Sequence, residues 1–325
     1  MPIQKIEYQD KFKGYQIIDC VVRSKDIFYF VLIEDYTQWP HWAGDEAPDD
    51  TDLKTRVITH FLDEPKNSQW EKVELNGFKM LLAGASKIPK EQYVGVDLTG
   101  SVFILGGGEN EIETEISDWR QNGVNRGGIT KCRTIDGHLY IAGGGRSVGY
   151  RIGKNSWKSL TQGMPFNYDK DWRKAGFEDI DGFNANDIYC VGGKGDVWHF
   201  NGEKWRQIHF PSNLHLYTIC CGGDGQVYIS AYGGTTFKGR GDQWKKIYKG
   251  EMTIPFKDMV WYEDKVWCTS DYGLWTIEND KLKEADLDDE IRVASGYIST
   301  EDGVLLLGGY NGAAYKKDGA WHKIF

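Results

Sequence analysis

A four-stranded pattern recurs along this chain, and it restricts the possible folds more than any other feature. It is clearest in DGHLYIAGGGRSVGYRIGKNSWKSL from Asp136, ANDIYCVGGKGDVWHFNGEKWRQI from Ala185 and DGQVYISAYGGTTFKGRGDQWKKI from Asp224. Each copy holds a turn, an apolar strand, a glycine-rich turn, a second strand, a polar turn, and a tryptophan that opens a third strand. One further strand precedes each copy: ITKCRTI, GFEDIDGF and LYTICCG. Apolar and polar residues alternate with period two, and Gly, Asn and Asp punctuate the turns, as in antiparallel hairpins.

The pattern continues in EDKVWCTSDYGLWTIENDKLKEA, with Leu282 at the tryptophan position, and again in EDGVLLLGGYNGAAYKKDGAWHKIF, with Trp321. Upstream, EQYVGVDLTGSVFILGGGENEIETEI puts Ile112 there. The first copy is split into YQIIDCVVRSKDIFYFVLI and TRVITHFLDEPKNSQWEKVEL, with Trp70. The anchors are therefore Trp70, Ile112, Trp157, Trp205, Trp244, Leu282 and Trp321, roughly 40 residues apart, with one stretched interval before Trp205. Four strands at that period make a propeller blade. The expected fold is all-β, a seven-bladed β-propeller of four-stranded antiparallel blades, forming one domain over residues 1–325. The blades should fall near 14–75, 76–116, 128–160, 177–209, 215–248, 256–285 and 292–325. A single blade cannot bury both its faces, so the anchor residues are expected to wedge against the neighbouring blade. The last copy owns four strands, which leaves IQKIEY, near the start, either to add to a sheet edge or to cover it.

Forty glycines, eighteen tyrosines and thirteen tryptophans suit many turns and aromatic strand positions. A net charge of −9 argues against nucleic acid or an anionic membrane as partner and favours basic partners. The opening MPIQKIEYQDKFKGYQ has no apolar signal core, and no apolar run approaches the roughly 18 residues of a membrane span. Cys20, Cys132, Cys190, Cys220, Cys221 and Cys268 form no CxxC pair and sit mostly among apolar strand residues, as free thiols in a reducing compartment would. The expectation is a cytoplasmic protein.

The stretch YTQWPHWAGDEAPDDTD, residues 36–52, interrupts the first copy between its second and third strands. In a propeller, that turn lies on the same face as the connections into the next blade. The long connections 117–128, 161–176 and 284–292 therefore share its face, while the opposite face has mostly short turns. Loops on a rigid scaffold carry function, and aromatics mixed with charge suit a binding surface. The candidate partner-binding residues are Trp39, Trp42, Asp45, Glu46, Asp49, Asp50, Asp52, Trp119, Phe166, Tyr168, Trp172, Asp286, Asp288, Asp289 and Glu290.

Catalytic and metal chemistry find little footing. No two of the seven histidines have metal-ligand spacing on one element, and none joins a nucleophile motif. LGGGENE and AGGGRSVG fall at hairpin turns, where glycine permits positive φ, rather than in a phosphate loop before a helix. Arg240-Gly241-Asp242 occupies the turn before a repeat tryptophan. The acids of 45–52 do not follow the alternating ligand spacing of an EF-hand. No catalytic residue, metal or cofactor is expected, and the chain reads as a binder rather than an enzyme.

YIAGGGRSVGYRIGKNSW, YCVGGKGDVWHFNGEKW and LLLGGYNGAAYKKDGAW resemble WD40-like or Kelch-like blades, without the Gly-His and Trp-Asp pair of true WD40 repeats. The whole chain, with loops such as WPHWAGDEAPDDTD, also resembles the propeller-type immunity proteins of bacterial contact-dependent growth inhibition systems. That resemblance implies an antitoxin that binds and neutralises a basic toxin domain, a nuclease, through an acidic, aromatic loop face. It also implies a monomer apart from that complex, with no nucleic acid or membrane partner. The alternatives are an intracellular scaffold with several weak partners and, behind it, a carbohydrate-active or other hydrolytic propeller.

Overall fold

The computed structural model describes residues 2–39, 47–116, 123–167, 176–252 and 255–325. It contains seven sheets, each of four antiparallel strands in sequence order. They span residues 15–75, 85–113, 129–159, 179–207, 216–248, 258–284 and 297–323, here called blades 1 to 7. The first strand of each lines a central channel, and the fourth lies at the rim.

Period-two alternation builds the contacts between blades. In the second strand of blade 1, Ile27–Glu34, Phe28 and Phe30 pack with Val304 and Leu306 of blade 7. Tyr29 and Val31, one residue out of phase, pack with Tyr93 and Phe103 of blade 2. Equivalent clusters join every successive pair around the ring. Each such fully buried side chain is worth about 1.5–3 kcal/mol relative to exposure. Glycine at the end of the second strand lets neighbouring backbones meet. A Cβ on Gly143, Gly192 or Gly309 would lie 1.9–2.2 Å from a carbonyl oxygen of the chain entering the same blade. Close approach, rather than positive φ, therefore explains these three glycines, while Gly145, at φ +64°, serves the turn itself.

Of the seven anchors, Trp70, Trp157, Trp205, Trp244, Leu282 and Trp321 join inter-blade clusters. The wedge expected of Ile112 is not formed, for its side chain is 61% exposed. Ile112 lies on the fourth strand of blade 2, Glu109–Glu113, at the rim. Trp70 stacks on His60 at 3.8 Å.

Among the described residues no strand is exchanged between the chain's two ends, and blades 1 and 7 meet through side chains. Blade 1 meets blade 7 through the Val22 amide, which donates to Ser299 Oγ at 3.1 Å, and through Lys317 and Asp26 at 2.7 Å. The opening segment covers the seam: the Ile3 amide donates to the Ile324 carbonyl at 2.7 Å, and helix α1 (Lys5–Lys11) follows. Phe12 then buries itself among Phe30, Trp70 and Phe325.

Candidate interaction face

Chain direction puts the turn between strands two and three on the same face as the inter-blade connections, and side-chain and backbone contacts bear this out. Asp49, in the blade 1 loop, pairs with Lys79 of the following connection at 3.4 Å. The Met252 amide donates to the Gly233 carbonyl in blade 5 at 3.1 Å, and Arg146 Nη1 of blade 3 donates to the Pro165 carbonyl in the following connection at 2.9 Å.

The blade 1 loop is anchored at both ends by short 3-10 turns, Tyr36–Gln38 and Asp50–Asp52. Asp35 caps the first, accepting from the Thr37 amide and hydroxyl and from Gln38 Nε2. Asp49 caps the second through Thr51. Trp39 is half-buried; its indole donates to Glu34 at 3.2 Å and its ring meets Tyr36. Phe166 is half-buried under the Arg126 guanidinium, 5.4 Å from the ring centre. Asp52, Asp286, Asp288, Asp289 and Glu290 are exposed, and Asp50 is partly so. Asp286 and Asp288 precede helix α2 (Asp289–Arg292), which opens with Asp289, paired with Arg292 at 3.3 Å, and Glu290, paired with Lys323 at 3.1 Å. Trp42, Asp45, Glu46, Trp119, Tyr168 and Trp172 lie outside the described residues.

The sequence reading passed over the short turns on this face. Tyr232, Tyr272 and Tyr310 follow the second strands of blades 5, 6 and 7 and are 60%, 77% and 66% exposed. Each precedes a tight turn (YGG, YG, YNG) at the tip of a hairpin. An aromatic immediately beyond the apolar run of strand two, next to glycine, is the signal that identifies them.

Behind the face lies the channel, divided by charge. Lys131 Nζ reaches Asp258 of blade 6 at 2.6 Å, and Arg133 Nη2 reaches Asp258 at 2.9 Å and Asp179 of blade 4 at 3.2 Å. Burial opposes ionisation of Asp258, but Lys131 and Arg133 outweigh it and hold its carboxyl below the usual range. On the loop side the strut floors a cavity of about 370 Å³ whose wall includes Leu82, Tyr217, Phe256, Lys257 and Tyr297. On the other side lies one of about 200 Å³. Asp19 and Asp181 also face the channel. Burial pushes both carboxyls up to about 6, although each accepts two backbone amides.

His60 is stacked and buried, His199 meets Asp187 at 2.8 Å, and His215 meets Glu178 at 3.0 Å. Among the described residues, no three His, Cys, Asp or Glu side chains are grouped to hold a metal ion. Five of the six unpaired cysteines are buried.

A closed ring of seven four-stranded blades, with exposed tyrosines and acids on one face, defines a seven-bladed β-propeller. The chain is 32% identical over 217 residues to the immune protein Tsi7 of Pseudomonas aeruginosa, covering 67% of this chain and 70% of that one. It belongs to the family of that immune protein, and its role is that of an immunity protein. No family model matches. Among solved structures it is similar in fold to virginiamycin B lyase from Staphylococcus aureus (TM-score 0.64, 8% identity, 93% of this chain and 94% of that one). The WD40 propeller domain of Doa1 gives a TM-score of 0.62 at 12% identity, over 93% and 96% of the two chains.

Proposed function

We propose that this immunity protein neutralises a basic toxin domain, a nuclease, by seating it on the loop face. The observation that carries the reading is the relationship to the immune protein Tsi7 over two thirds of the chain. The chemistry of the face gives the kind of partner. Exposed Asp52, Asp286, Asp288, Asp289 and Glu290 stand among aromatic residues on a chain of net charge −9. A nuclease surface that holds phosphate is basic, and an acidic face steers it in at up to about 10⁸–10⁹ M⁻¹s⁻¹ at low salt. Aromatic contacts then slow its release. On this reading the chain acts by occlusion, without chemistry of its own, one chain to one toxin. It works in the cytoplasm, whose reducing conditions suit six unpaired thiols.

The test uses a basic nuclease-toxin domain from the genome that encodes this chain. Its cleavage of plasmid DNA and of total RNA is followed while the purified chain is added. Cleavage should stop near one equivalent, with a one-to-one complex on gel filtration. Undiminished cleavage at several-fold excess would end the proposal.

A further inference from the structure

Large aromatic side chains rarely stand clear of a protein surface without a reason, and the exposed ones that cluster are the informative ones. Tyr232, Tyr272 and Tyr310 occupy the same structural position on three successive blades, so they form an arc on the loop face beside the channel mouth. None is needed by the fold: each ring lies beyond the last residue of its strand, and the inter-blade clusters close without them. Tyrosine offers a large rigid contact area for little lost conformational freedom, which makes it a frequent anchor in interfaces.

We propose that this tyrosine arc is the principal docking crescent for a basic, convex element of the toxin, resting on the reading that the chain binds a basic toxin through its loop face. Charge complementarity selects the occupant. Asp271 precedes Tyr272, and Asp286, Asp288 and Asp289 lie on the connection between blades 6 and 7, within the span of the arc. At the mouth, Glu178 and Asp271 face the loop side, while Asp258 and Asp179 beneath them are already paired with Lys131 and Arg133. The walls already hold one cation in the manner a partner's cation would be held. Lys257 Nζ lies 3.9 Å from the centre of the Tyr297 ring and 2.7 Å from Asp271. Three tips spread over three blades, with the mouth between them and the axis, span a patch suited to an interface of ordinary size, roughly 800 Å² per partner.

The experiment is a calorimetric titration of that nuclease-toxin domain, silenced at its active site, into four forms of the full chain. These are wild type, Y232A/Y272A/Y310A, the matching triple phenylalanine variant, and I112A as a control for an exposed apolar residue elsewhere. Urea unfolding of each form checks that the ring is intact. The alanine triple should bind about 100-fold more weakly or worse, while the phenylalanine triple and I112A stay close to wild type. Wild-type binding matched within about threefold by the alanine triple would overturn the arc and leave the binding reading standing. No binding by wild type would overturn that reading, and the arc with it.

Discussion

Arg133 of blade 3 and Asp258 of blade 6 meet across the central channel, Nη2 to Oδ1, at 2.9 Å. Lys131 joins the same carboxylate at 2.6 Å, so one acid on the far side of the ring receives two cations from one strand. The channel is thus a braced interior, in which two blades separated by others are fastened directly.

That brace gives a stability prediction. Asp258→Asn leaves Lys131 and Arg133 close together without their shared counter-charge, and removing one partner of a buried pair costs about 3 kcal/mol or more. The urea midpoint at pH 7 should fall accordingly, and Lys131→Met added to it should restore part of the loss. An unchanged midpoint for Asp258→Asn would mean that the brace bears no strain.

Asp19 and Asp181 should titrate far above ordinary aspartates, near pH 6, when followed by carboxyl carbon NMR. Burial disfavours their charged forms, so folding binds extra protons between about pH 4 and 6. The stability these groups lend is therefore complete below their unfolded value near 3.8 and is lost as pH rises through about 6. Titration of both below pH 5 would contradict this.

His60 has the opposite sign. Burial lowers its folded value from 6.5 to about 3, so its neutral form is the one that fits, and stability falls as pH drops below 6.5. His60→Phe keeps a ring against Trp70 and removes the titration. Relative to that variant, wild type should lose about 1.4 kcal/mol per pH unit between pH 6 and 4. Parallel stability curves for the two proteins would show that burial does not set the titration of His60.

The seam should be the weak point of the ring. Phe12 is 3% exposed and touches Phe30, Trp70 and Phe325, so Phe12→Ala should cost about 3–4 kcal/mol. Hydrogen exchange should show the protection lost in blades 1 and 7 before the others. Uniform loss around the ring would argue that the segment merely lies over a closed structure.

If acidic steering is right, Asp49→Lys, Asp52→Lys and Asp289→Lys together should slow association with the toxin domain by about tenfold at 50 mM salt. They should make much less difference at 500 mM, where charges are screened within a few ångströms. Stopped-flow mixing at both salts measures this; equal slowing at both would assign the effect to lost contacts.

Most of the architecture was legible because one strand such as Phe28-Tyr29-Phe30-Val31 must satisfy two neighbours at once, and alternation records that directly. Ile112 shows the limit, since an apolar residue at the right spacing on a rim strand can still face solvent. The brace could not be read, for Lys131 and Arg133 stand 127 and 125 residues from Asp258 and nothing local marks the three as partners. On the loop face, length drew attention to the long loops, where Trp39 and Phe166 turn inward to Glu34 and Arg126. The exposed tyrosines sit on turns too short to fold back, and brevity is what keeps them in view.

Closure without an exchanged strand has a consequence for how the molecule comes into being. Blade 1 is synthesised first, yet Val22, Phe28 and Phe30 find their partners only when Ser299, Val304 and Leu306 have emerged, some 277 residues later in the case of Val22 and Ser299. Through the making of six further blades, one wall of the first stands open to water and to other nascent chains. The closed ring therefore arrives all at once, with the last blade.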